Sequence, residues 1–75
     1  MFEVKNLVKG NSGKEVRLLQ RLLIGYGYSV GSSGADGAFG SATESAVQKF
    51  QKAKGISVSY PGTVGAKTWS ALIGL

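Results

Sequence analysis

Glycine placement restricts this chain more than any other feature. Twelve of the 75 residues are glycine, and those at 10, 13, 25, 27, 31, 34, 37, 40, 55, 62 and 65 separate three short segments with helical apolar spacing. The first segment opens with Ser12-Gly13-Lys14-Glu15, a capping-box pattern that predicts a helix start at Ser12. Val16, Leu19, Leu22, Leu23 and Tyr26 then form one stripe, and Gly25 and Gly27 end it. The second segment starts near Gly40, with Glu44 in its first turns. It buries Ala46, Val47, Phe50 and Ala53, carries Lys49, Lys52 and Lys54 late, and meets its C′ glycine at Gly55. The third runs from Gly65 to about Ile73, with Thr68, Trp69, Leu72 and Ile73 carrying its apolar contacts. Tyr28-Ser29-Val30 and Ile56-Ser57-Val58 alternate weakly between helices, too briefly for a substantial sheet. The expected class is all-α.

An internal repeat appears at an offset of 25 residues. Gly37, Gly40, Thr43, Ser45 and Ala46 coincide with Gly62, Gly65, Thr68, Ser70 and Ala71, while Phe39 faces Val64 and Val47 faces Leu72. Each copy reads as a turn glycine, an apolar anchor, a helix-capping glycine and a first-turn Thr whose hydroxyl can satisfy an orphan backbone group. Two such units cannot bury their apolar faces alone, so the first helix is expected to complete the core.

Composition removes most chemistry. The chain has no Cys and no His, which excludes disulfides, thiolate or imidazole metal sites and every Ser-His or Cys-His nucleophile pair. Its carboxylates, Glu3, Glu15, Asp36 and Glu44, are too scattered for a metal cage. Binding is therefore expected, with no catalytic residue, metal or cofactor. Nine Lys and Arg give a net charge of +5, which favours an anionic partner without choosing one. No apolar run is long enough to span a membrane or resemble a signal peptide, so no membrane partner is expected.

Taken together, Gly13-Lys14-Glu15-Val16-Arg17-Leu18-Leu19-Gln20, Gly27-Tyr28, Asp36-Gly37-Ala38-Phe39-Gly40-Ser41-Ala42-Thr43, Ala46-Val47-Gln48-Lys49-Phe50-Gln51, Gly55-Ile56 and the stretch from Gly62 to Leu72 resemble the peptidoglycan-binding domain of bacterial and phage cell-wall hydrolases. The resemblance covers about residues 10 to 73. It implies a compact three-helix bundle with a repeated loop–helix unit, acting as a non-catalytic wall anchor for a covalently fused amidase, peptidase or glycosidase. It also implies an extracellular or cell-wall location and a monomer. On this reading residues 1–9 are a linker stub or packing arm, and residues 10–75 are the domain. The sequence departs from the family pattern at Tyr60-Pro61-Gly62, where an Asp is expected before the turn glycine. The absence of Cys excludes the family's use as a protease pro-segment.

Candidate ligand contacts are Tyr26, Tyr28 and Tyr60, in or beside glycine-rich loops where a ring can stack on a sugar and still meet water. Asp36 and Gly37, with the facing turn from Tyr60 to Gly62, would line a shallow groove, although the commoner role for such an Asp is that of an Asx-type turn acceptor. Arg17 and Arg21, four apart on the first helix, can meet peptide carboxylates or simply be solvated. Gln20 and Gln51 are expected to bond loop backbone, Thr43 and Thr68 to cap, and Trp69 to pack in the core. Two rival readings are weaker. A small nucleic-acid-binding domain would use Arg17, Arg21, Lys49, Lys52 and Lys54 on phosphates, but its third helix offers only Lys67 and Ser70 outward. A glycosidase pair of Asp36 and Glu44 has no spacing that calls for it.

Overall fold

A computed structural model of the protein describes residues 6–58 and 60–74. Three helices are present: α1 (Lys14–Gly25), α2 (Ser41–Ala53) and α3 (Ala66–Ile73). Among the described residues there is no strand, only the isolated antiparallel bridges Leu7 with Val64 and Ser12 with Ala38. The class is all-α, and α1 packs against both α2 and α3, so the first helix completes the core of the two repeat units.

Period-3.6 spacing supplies the core. Val16, Leu19 and Leu23 of α1, Ala46, Val47 and Phe50 of α2, and Trp69 and Leu72 of α3 are buried together with Leu7, Val30, Phe39 and Val64. Trp69 is wholly inaccessible. Two expected core positions are not: Ala53 is exposed, and Ile73 is 38% exposed on the last turn of α3.

The two repeat units start alike. Gly40 and Gly65 are the N-cap residues of α2 and α3, with φ/ψ of −107°/−167° and −116°/−166°. Phe39 and Val64, just before them, anchor the loops in the core. A segment preceding α1 stitches both loops together: Leu7 exchanges backbone hydrogen bonds with Val64 at 2.9 and 2.8 Å, and Gly10 and Asn11 bond Phe39. The portion of the N-terminal arm at residues 1–5 lies outside the described residues.

The expected capping box is absent. The N-cap of α1 is Gly13, not Ser12, and no side chain caps it. Ser12 is taken up in the bridge to Ala38, and the Gly13 N–H donates to Gly37 O at 2.9 Å. Gly13 turns at φ 129°, which places the helix start one residue later than the Ser12–Glu15 spacing requires.

Candidate functional site

Buried glutamines build the loops. Gln20 Nε2 donates to Ala38 O (2.9 Å), Thr43 Oγ1 (3.0 Å) and Asp36 Oδ1 (3.2 Å), while Gln20 Oε1 accepts from the Gly37 N–H (2.8 Å). Gln51 repeats this one unit later: Nε2 donates to Thr63 O (2.8 Å) and Thr68 Oγ1 (3.1 Å), and Oε1 accepts from the Gly62 N–H (3.0 Å). Each primary amide satisfies both faces of a glycine turn that no neighbouring strand could reach. The Thr hydroxyls expected to cap backbone thus accept from these amides. Gly37 and Gly62 stand at φ 83° and 93°, a region open to glycine at little cost.

Asp36 is part of the first clamp. Its Oδ1 accepts from the Ala38 N–H at 2.9 Å, an Asx turn, and from Gln20. The Ala38 and Gln20 hydrogen bonds, with a smaller contribution from the Arg17 charge, hold its carboxyl below the ordinary value. It is exposed and ionised at neutral pH, and Oδ2 has no protein partner among the described residues.

A shallow groove runs along this loop. One depression of about 360 Å³ is lined by Ile24 and residues 27–31, including Tyr28 and Ser29. It shares Val30 and Gly31 with a second of about 280 Å³, which continues past Ser32, Ser33 and Asp36 to Ser41 and Ala42 at the start of α2. Tyr28 and Asp36 therefore line neighbouring depressions that meet at Val30 and Gly31. The Tyr28 ring is half-buried, edge-on to Phe50 at 6.1 Å. Ser29 Oγ accepts from the Gly31 N–H at 3.2 Å, which leaves its hydroxyl proton for a ligand. Gly31 lets the loop approach α2: a Cβ there would stand 3.0 Å from that of Ala42.

The other sequence candidates fall elsewhere. Tyr26 is committed to the scaffold: its hydroxyl donates to Leu72 O (2.9 Å) and Ala71 O (3.2 Å), its ring lies 5.1 Å from that of Phe50, and Lys54 Nζ sits 5.4 Å from its centroid. Arg17 and Arg21 line a separate depression on α1 with Lys14 and Leu18, Arg17 also reaching the Asp36 turn. The turn expected to face Tyr28 and Asp36 instead lies against α2. A Cβ on Gly62 would meet Glu44 Cγ at 2.8 Å, and Pro61 lines its own cleft with Gln48 and Lys52. Tyr60 is 76% exposed. Ser29, Val30, Ser41 and Ala42 also line these depressions and were not among the sequence candidates, because small residues carry no chemical signature until a loop fold gathers them.

The family profile described as "Putative peptidoglycan binding domain" matches residues 12–72. The chain belongs to this family of peptidoglycan-binding domains. It is 44% identical over 66 residues to the N-acetylmuramoyl-L-alanine amidase CwlL of Bacillus licheniformis, a match covering 88% of this chain and 18% of the amidase. It is 52% identical over 44 residues to the type VI secretion system spike protein VgrG3 of Vibrio cholerae, covering 59% of this chain and 4% of that protein. The crystal structure of the SleB N-terminal domain superposes with a TM-score of 0.85 at 35% identity, over 99% of this chain and 96% of that one. The chain thus spans less than a fifth of the length of these two curated relatives, and in this family it is the binding module.

Proposed function

We propose that the domain grips a sugar–peptide unit of peptidoglycan along the groove from Tyr28 to Asp36, and thereby holds a covalently fused cell-wall hydrolase on its polymer outside the cell. The two adjoining depressions carry this reading: together they offer an aromatic face with a polar tip at Tyr28, hydroxyl donors at Ser29, Ser32 and Ser41, and an acceptor at Asp36 Oδ2. That mixture suits a ligand whose ring faces are apolar and whose edges are hydroxyls and amides. Arg17, beside Asp36, adds a cation for peptide carboxylates.

Such a groove has few hot-spot contacts, so each unit binds with micromolar to millimolar affinity, on the order set by small desolvated areas. Tethering then supplies the useful effect, because a weak hold on a repeating polymer raises the effective concentration of scissile bonds near a fused active site. The domain acts as a monomer in this scheme.

The test is retention of the purified protein on insoluble peptidoglycan stripped of anionic polymers, at low and high salt, with chitin as control. Retention at both salts on peptidoglycan alone, reduced in Tyr28→Phe, is expected. That substitution keeps the ring on Phe50 and deletes only the hydroxyl. Release at high salt would reduce the interaction to net charge and sink the groove reading.

A further inference from the structure

We propose that the fold carries a second, repeat-related cleft, formed by Gln48, Lys52, Ile56, Ser57, Val58 and Pro61, that binds a carboxylate-bearing peptide arm of the same polymer. This rests on the groove reading above and adds a second contact to it.

The first observation is a repeat in another register. Gly27-Tyr28-Ser29-Val30 and Gly55-Ile56-Ser57-Val58 lie 28 residues apart, whereas the turn-and-helix repeat has an offset of 25. Both segments leave a helix by the same motif. The Gly27 N–H bonds Ile24 O and the Tyr28 N–H bonds Leu23 O. One unit later, Gly55 bonds Lys52 O and Ile56 bonds Gln51 O. This pairing is a Schellman ending, with its left-handed residue at Gly27 (φ 95°) and Gly55 (φ 66°). Identical exits aim Tyr28-Ser29-Val30 and Ile56-Ser57-Val58 equivalently from their helices. Each then lines a depression, of about 360 Å³ after α1 and about 490 Å³ after α2.

The two clefts differ in charge. Where the first has Ile24 at its rim, the second has Lys52, 28 residues on. Lys52 is exposed, has no ion-pair partner among the described residues, and no acidic residue lines the cleft beside it. Gln48, one turn earlier, is also exposed, and its amide makes only a 3.5 Å contact with Pro61 O, so it can turn to a ligand. An ammonium and an amide above an apolar floor of Ile56 and Val58 match a short peptide that ends in a carboxylate. Pro61, where the family pattern has an acid, removes the charge that would repel it.

The experiment is a proton–nitrogen correlation titration of the labelled protein with a soluble disaccharide–peptide fragment of peptidoglycan and, separately, with the peptide-free disaccharide. Ser57, Val58 and Lys52 amides are expected to shift with the first ligand and stay still with the second. Lys52→Met should weaken that set by about two- to fivefold, as for an exposed charge pair, while Ser29 to Gly31 respond as before. The proposal is overturned if Ser57 and Val58 stay still while Ser29 to Gly31 move, if they respond equally to the peptide-free sugar, or if Lys52→Met leaves their affinity unchanged. Silence at both sets would remove the groove reading and this proposal together.

Discussion

Replacing Gln51 by Met tests whether a buried amide holds the second repeat together. Gln51 is 3% exposed, and Met matches its length and volume without its polar atoms, so packing is nearly conserved. Three hydrogen bonds vanish: to Thr63 O, to Thr68 Oγ1 and from the Gly62 N–H. The Thr68 hydroxyl can reorient and the half-buried Thr63 carbonyl can rehydrate, but the Gly62 N–H is left buried and unpaired. The orphaned buried donor costs about 1–3 kcal/mol, and the two bonds whose partners reorient or rehydrate cost about 0.5 kcal/mol each, so the total is about 3 kcal/mol. A domain of this length has about 4–11 kcal/mol of stability, so this is a large share of it. At about 6 °C per kcal/mol for a domain of this size, Tm should fall by about 15–20 °C. Urea unfolding followed by helical circular dichroism reads the loss as a lower midpoint at unchanged slope. Gln48→Met, which removes only the 3.5 Å contact to Pro61, is the control and should move stability by less than about 0.5 kcal/mol. A Gln51→Met loss no larger than that of the control would refute the clamp as a source of stability.

Glycine strain and crowding separate at two positions. Gly62→Ala combines φ 93° with a Cβ 2.8 Å from Glu44 Cγ and should cost about 2–3 kcal/mol, whereas Gly55→Ala, at φ 66° in open space, should cost about 1 kcal/mol; equal urea midpoints would contradict this. For Asp36 the folded-state carboxyl titrates below the ordinary 3.8, so its stabilisation is complete above that value and disappears as pH falls through the lower folded value. Asp36→Asn, which keeps an oxygen acceptor for the Ala38 N–H, should be less stable than the parent at pH 7 and close to it in strong acid, below the lowered folded-state value. A gap that is the same at both pH values would show that the carboxylate charge is irrelevant to the turn.

Legibility differed between elements for physical reasons. The stripes Val16-Leu19-Leu23 and Ala46-Val47-Phe50 were readable because burial imposes a 3.6-residue period that no loop can mimic. Gly55 was readable as a helix end because its left-handed backbone (φ 66°) depends on the residue itself, whereas Gly40 and Gly65, in extended backbone, were readable from the repeat that places both before a helix. The start of α1 was not. A capping box at Ser12 and Glu15 is a local preference, and it lost to the pairing of Ser12 with Ala38 and of Gly13 with Gly37, partners distant in sequence. Ile73 read as core because its spacing is right, yet on the last turn of α3 it stays 38% exposed.

The surface divides along the same line. Tyr26, Tyr28 and Tyr60 have the same side chain and similar glycine-rich neighbours, and sequence gave no means to rank them. Tyr26 became scaffold because the end of α3 brings the carbonyls of Ala71 and Leu72 to its hydroxyl, while Tyr28 came to line the groove and Tyr60 to stand exposed. The turn at Gly62 was expected opposite Asp36, but Gln51 holds it against α2 as Gln20 holds the Gly37 turn against α1, and the loop from Gly55 to Gly62 is three residues shorter than that from Gly27 to Gly37. Each turn lies against its own helix, Gly37 beside Arg17 of α1 and Gly62 beside Glu44 and Gln48 of α2, so the second turn opens on a cleft of its own at Pro61.

The sequence by itself thus determined the all-α class, the repeat, the helix-ending glycines and the buried stripes, because each follows from conformational limits or periodic burial within a few residues. Only the tertiary structure decided which tyrosine lines a depression, where α1 begins and how many clefts the repeat makes. Those depend on contacts between residues far apart in the chain, whose hydrogen-bond and packing energies exceed the local preferences they override.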